Sequence, residues 1–130
     1  MSPGIVVPVA KSLYLADATL GYSGGKTDVM GLFNTITPSN GYPHTATFVV
    51  FAQLQGGLGH VPFHIDIRQG SMIGPLVFAS NVHHLHFAHR DFTHQLAYTV
   101  PDCRFTRSGI YLVELFCCGS WVADVHLDLL

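Results

Sequence analysis

Apolar and polar residues alternate with a period of two through most of the chain. Between Thr45 and Leu54, Ala46, Phe48, Val50, Ala52 and Leu54 form one face, and Thr45, Thr47 and Gln53 the other. Between Gly59 and Arg68, Val61, Phe63, Ile65 and Ile67 oppose His60, His64, Asp66 and Arg68. Successive strand residues point to opposite sides of a sheet, so these are half-buried strands, each with a core face. Segments 11–17, 28–37, 75–80, 82–89 and 92–100 read as further strands. Gly- and Pro-rich turns such as Gly21-Tyr22-Ser23-Gly24-Gly25 and Pro38-Ser39-Asn40-Gly41 separate them. Every window with helical spacing also fits a strand. The expectation is one all-β domain: an antiparallel β-sandwich, immunoglobulin-like, of about seven to nine strands. Residues 1–10, with Pro3, Gly4 and Pro8, read as an N-terminal arm to a domain over 11–130.

The C-terminal stretch is the most explicit. Two strand-like runs, 109–118 and 121–129, flank Gly119-Ser120, which predicts a hairpin. An odd loop aligns Tyr111, Val113, Leu115 and Cys117 with Leu127, Val125, Ala123 and Trp121. An even loop moves Glu114 to the face of Ala123 and Val125, where an unpartnered carboxylate costs several kcal/mol to bury. The odd loop is preferred, with Gly119 or Ser120 left-handed. Trp121 then belongs to the core.

Composition adds a partner to this picture. Only 11% of residues are charged and 48% are hydrophobic, where typical domains carry about 25% charge. No apolar run approaches the roughly 20 residues of a membrane helix. So much apolar strand surface with so little charge predicts contact patches, hence a homo-oligomer, dimer or larger, and an unidentified protein partner. Net charge is −2 and the six Lys and Arg are scattered, so no nucleic-acid footprint is present. The first ten residues lack the charged start of a secretion signal, which predicts a cytoplasmic protein. Cys103, Cys117 and Cys118 form no C-x-x-C pair and read as small thiols rather than a disulfide framework.

One cluster carries candidate chemistry. Five of nine histidines fall between His83 and His94. His84-Leu85-His86 puts two imidazoles on one strand face about 7 Å apart. His64 and Asp66 share an outward face on another strand and extend the set of possible ligands. Neutral imidazole suits a divalent transition metal. The phosphate-loop template fails, because the Gly21–Lys26 turn lacks its spacing. A sugar-binding reading needs exposed aromatics in a row, and the single Trp is placed inside. The leading expectation is a non-enzymatic domain acting through protein contacts and self-association. The alternative is a small metal-binding β-protein, a cupin-like enzyme or metal carrier, using His84, His86, His64 and Asp66.

Two resemblances add to this reading. Gly109-Ile110-Tyr111-Leu112-Val113 resembles the late strand of immunoglobulin-like domains, where a Tyr hydroxyl bonds back to the preceding backbone as a tyrosine corner. Val113 stands where antibody domains have their second cysteine. Leu15-Ala16-Asp17, Gly25-Lys26, Val29-Met30-Gly31-Leu32-Phe33, Pro43-His44 and Gly109-Ile110-Tyr111-Leu112-Val113-Glu114-Leu115 together resemble a family of small bacterial all-β proteins of uncharacterised function. That resemblance implies an immunoglobulin-like sandwich and supplies no catalytic residue.

Overall fold

A computed structural model describes residues 4–130. Ten strands follow one another: β1 (Val9–Gly21), β2 (Thr27–Phe33), β3 (Thr35–Ile36), β4 (His44–Gln55), β5 (Gly59–Gln69), β6 (Leu76–Ala79), β7 (His83–Phe87), β8 (His94–Phe105), β9 (Gly109–Cys117) and β10 (Ser120–Leu129). One sheet runs β2-β1-β4-β8 and the second β3-β10-β9-β5-β6, with β7 also paired to β5. No helix among the described residues is long and apolar enough to cross a membrane.

The two sheets share one core. Phe48, Val50, Ala52 and Leu54 of β4 meet Val61, Phe63, Ile65 and Ile67 of β5, with Tyr111, Val113, Leu115 and Cys117 of β9, all buried. These are the inward faces expected from the alternation, and each large apolar side chain so buried contributes about 1.5–3 kcal/mol. Tyr111 is fully buried, and its hydroxyl donates to the Arg107 carbonyl at 2.7 Å, the bond expected of a tyrosine corner.

Several boundaries differ from the sequence expectation. The strand expected over 28–37 breaks at Asn34, whose carbonyl accepts from Asp128 N at 2.8 Å. The chain there leaves the first sheet, and β3 joins the second alongside β10 in parallel. β8 continues past Val100 through Pro101, because it is an edge strand and tolerates a residue with no N–H to donate. Of the expected arm, residues 1–3 lie outside the described residues, Val6 bridges to Leu58, and β1 starts at Val9.

The longest departure is β1. It pairs with β4 only as far as Ala16↔Val49, then continues five residues further paired with β2 alone. Thr27 at the far end of this two-stranded ribbon donates from its hydroxyl to Gln95 Oε1 at 2.6 Å. Gln95 lies on β8 opposite Gln53, level with Ser12 at the other end of the β1–β4 pairing. The ribbon therefore turns off the sheet and crosses its outer face. Val49 and Phe51 point to that outer face and are nonetheless buried. Gly31 of the ribbon has φ 71°, and a Cβ there would collide with the Asp17 carboxylate.

The C-terminal hairpin corrects two expectations. Its loop is the two residues Cys118-Gly119, both left-handed (φ 54° and 75°), with Ser120 paired to Cys117 and Trp121 to Phe116. A bulge between Trp121 and Ala123 then restores the expected pairs Leu115↔Ala123, Val113↔Val125 and Tyr111↔Leu127. The correction is confined to Ser120 and Trp121, whose faces are exchanged. Trp121 is 50% exposed, not in the core. A two-residue loop with both positions left-handed favours Asn-Gly. Cys118→Asn is therefore expected to raise stability by about 0.5–1 kcal/mol. An unchanged denaturant midpoint would count against that reading of the turn.

Candidate functional site

The chemistry expected from the sequence gathers on the outer face of the second sheet. Strands β5, β9 and β10 lie side by side, so outward residues form cross-strand rows. One row is His64, Phe116 and Trp121, and the next is Asp66, Glu114 and Asp124. In the first row, the His64 ring stacks on Phe116 at 4.8 Å with the planes 2° apart. Trp121 turns toward the second row, and its Nε1 donates to Asp124 Oδ2 at 3.2 Å.

The second row places three carboxylates directly opposite one another, which is unfavourable without compensation. Arg68 supplies it. Its Nε donates to Glu114 Oε1 at 3.2 Å, its Nη2 lies 3.7 Å from Asp66 Oδ2, and its Nη1 donates to the Gly74 carbonyl at 3.1 Å. His64 Nε2 lies 3.8 Å from the same Asp66 oxygen. Glu114 faces outward, as the preferred hairpin register expects, yet it is only 2% exposed. Burial raises its pKa, Arg68 pulls it back, and the neighbouring Asp66 and Asp124 raise it further. Folded protein thus holds the Glu114 proton more tightly than unfolded chain, and stability falls as pH rises from the ordinary glutamate range through the raised value.

The histidines disperse. His84 and His86 lie outward on β7, but the residues facing them on β5 are Pro62 and His60. His60 and His86 approach to 4.4 Å between ring centroids. His64 belongs to the Phe116 stack rather than facing either of them. His83 packs on Phe63 and Tyr98. His94 packs against Phe87 and Phe92, and burial lowers its pKa. Among the described residues no three His, Cys, Asp or Glu side chains close on a common metal position. His60 is the residue that sequence reasoning left out of its ligand set. The outward alternation of β5 had marked it, but the strand lying opposite it was not readable.

The cysteines are free. Burial pushes the thiols of Cys103 and Cys117 up to about 12, so both stay protonated and unreactive. Cys118 sits exposed in the hairpin turn.

A second, chemically plain surface lies on the ribbon. Leu20, Met30 and Leu32 share one of its faces, and with Tyr14 they are 46–60% exposed. Beside them a groove of about 360 Å³ is lined by Leu13, Tyr14, Leu15, Leu32, Phe33, Asn34 and Val125. β2, the outer strand of the ribbon, is also the edge of its sheet. Asp28 is its only charged residue, and it contains no Pro. Charges and Pro are among the features that commonly protect edge strands.

No curated protein matches the chain. A family model does match, over residues 11–129, a span that holds every motif quoted above for the bacterial all-β resemblance. The two-sheet chain described here belongs to the family of unknown function designated DUF6941.

Proposed function

We propose that this protein is a non-enzymatic β-domain, immunoglobulin-like in architecture, that works through protein contacts and associates with itself along the β1–β2 ribbon. One observation carries the reading. Leu20, Met30 and Leu32 stand half-exposed on a single ribbon face whose outer strand has an open edge with one charge. Burying the half of each side chain that is still exposed gives about 1 kcal/mol each. A second copy pairing at β2 covers them and satisfies the unpaired edge groups together. The adjoining Tyr14 and Leu32 groove offers a seat for the partner's apolar side chains. The bond from Tyr111 to Arg107 and the parallel pairing of β3 with β10 support the immunoglobulin-like description.

The test is mass in solution. Light scattering on the full chain is expected to give a dimer or larger. Met30→Lys combined with Leu32→Lys, both exposed positions, is expected to weaken association by about a hundredfold or more. The far-ultraviolet dichroism should stay unchanged. A wild-type protein that remains monomeric at its highest soluble concentration overturns the proposal. So does a double variant that associates as tightly as wild type.

A further inference from the structure

We propose that His60 and His86 together bind one divalent transition-metal ion of the zinc, nickel or copper class. The two residues are directly opposite on the antiparallel strands β5 and β7. Their rings lie 4.4 Å apart between centroids with planes 31° apart, and both side chains are exposed. Metal–imidazole bonds are about 2.0–2.1 Å long. One ion can therefore touch a nitrogen of each ring after small side-chain rotations, which exposed rings make at little cost. The frame beneath them is rigid. β5 is an interior strand paired to β9 on one side and to β6 and β7 on the other, and Leu85 and Phe87 on either side of His86 are buried.

The donor set selects the ion. Neither ring is ion-paired to a carboxylate among the described residues. Two neutral nitrogens without oxygen donors favour zinc, nickel or copper over magnesium or calcium. With two protein ligands the remaining coordination positions stay open to water, so the site is an exchangeable one rather than a closed structural centre. This assignment differs from the ligand set expected from the sequence. His64 is held by the Phe116 stack and the Asp66 contact, and Pro62 occupies the position opposite His84.

Titration of the untagged full chain with zinc at neutral pH, followed by calorimetry, is expected to show one equivalent bound per chain. Loss of a supporting group around a metal typically weakens affinity 10- to 100-fold, so loss of a ligand should weaken it by about 100-fold. His60→Ala and His86→Ala are each expected to do this. His64→Ala is expected to leave affinity unchanged. All three side chains have solvent contact, and dichroism of each variant verifies the fold. Absence of zinc binding by wild type overturns the proposal. So does a His60→Ala/His86→Ala protein that binds as tightly as wild type, or binding that follows His64 instead.

Discussion

Arg68→Ala is expected to lower stability by about 3 kcal/mol at neutral pH and by much less in acid. The reason is asymmetric burial. Glu114 is 2% exposed while the Arg68 side chain keeps 26% of its surface. Removing one partner of a buried pair typically costs about 3–5 kcal/mol, because the other charge stays behind undissolved. The partial exposure of Arg68 places this case at the low end. Two further carboxylates, Asp66 and Asp124, flank Glu114 in its row and add repulsion once the guanidinium is gone. The sign of the pH effect follows. Glu114 already has a raised pKa in the folded protein, and loss of Arg68 raises it again. The window in which the folded state holds the extra proton widens toward neutral pH, and stability falls across it as pH rises. Below the ordinary glutamate range both states are protonated and most of the penalty disappears. Urea denaturation at several pH values checks this. A penalty of the same size in acid and at neutral pH would show that Arg68 acts through packing alone. Arg68→Met with Glu114→Leu, which removes both charges, should stay close to wild type or exceed it.

How much of this was legible in the sequence depends on the range over which each feature is decided. The inward faces of β4 and β5 follow from side-chain alternation within one strand, and Phe48 to Leu54 and Val61 to Ile67 are buried as read. The body of the C-terminal hairpin was also legible, since the position of Glu114 selected between two phases. Trp121 was not, because two local features each shift the phase by one residue and cancel. The two-residue turn inverts the pairing, and the bulge at Val122 inverts it back, so only Ser120 and Trp121 change face. A pattern of apolar and polar letters records the net phase and not the pair of shifts. The same limit hid the His60–His86 pair. His84-x-His86 was visible within a strand, whereas the identity of the residue facing His86 depends on which strand β7 joins. Likewise the extra length of β1 had no local signal: the strand reading ends at Asp17 and the glycine-rich turn starts at Gly21, while the contact that fixes the ribbon joins Thr27 to Gln95 far along the chain.

Phe105→Ala is expected to destabilise the protein by about 3–5 kcal/mol, and Tyr111→Phe by about 0.5–1.5 kcal/mol. The two residues make one joint. Phe105 ends β8 in the first sheet, Tyr111 lies near the start of β9 in the second, and the short segment 106–108 crosses between them. Both side chains are fully buried, with ring centroids 4.9 Å apart and planes 78° apart. Such an edge-to-face pair adds about 0.5–1.5 kcal/mol beyond area. Truncating Phe105 removes that contact and leaves a cavity between the sheets, which can close only if strands anchored on both sides move. Tyr111→Phe keeps the ring and deletes only the donation to Arg107 O. Arg107 is exposed, so water takes over the freed carbonyl and limits the penalty to an ordinary hydrogen bond. A domain with a total stability of about 5–15 kcal/mol survives the second change easily and the first only narrowly. Chemical denaturation of both single variants and the double variant measures the coupling, which should be non-additive for rings in contact. Should Tyr111→Phe prove as damaging as Phe105→Ala, the hydroxyl bond rather than ring packing would be what holds the crossover in place.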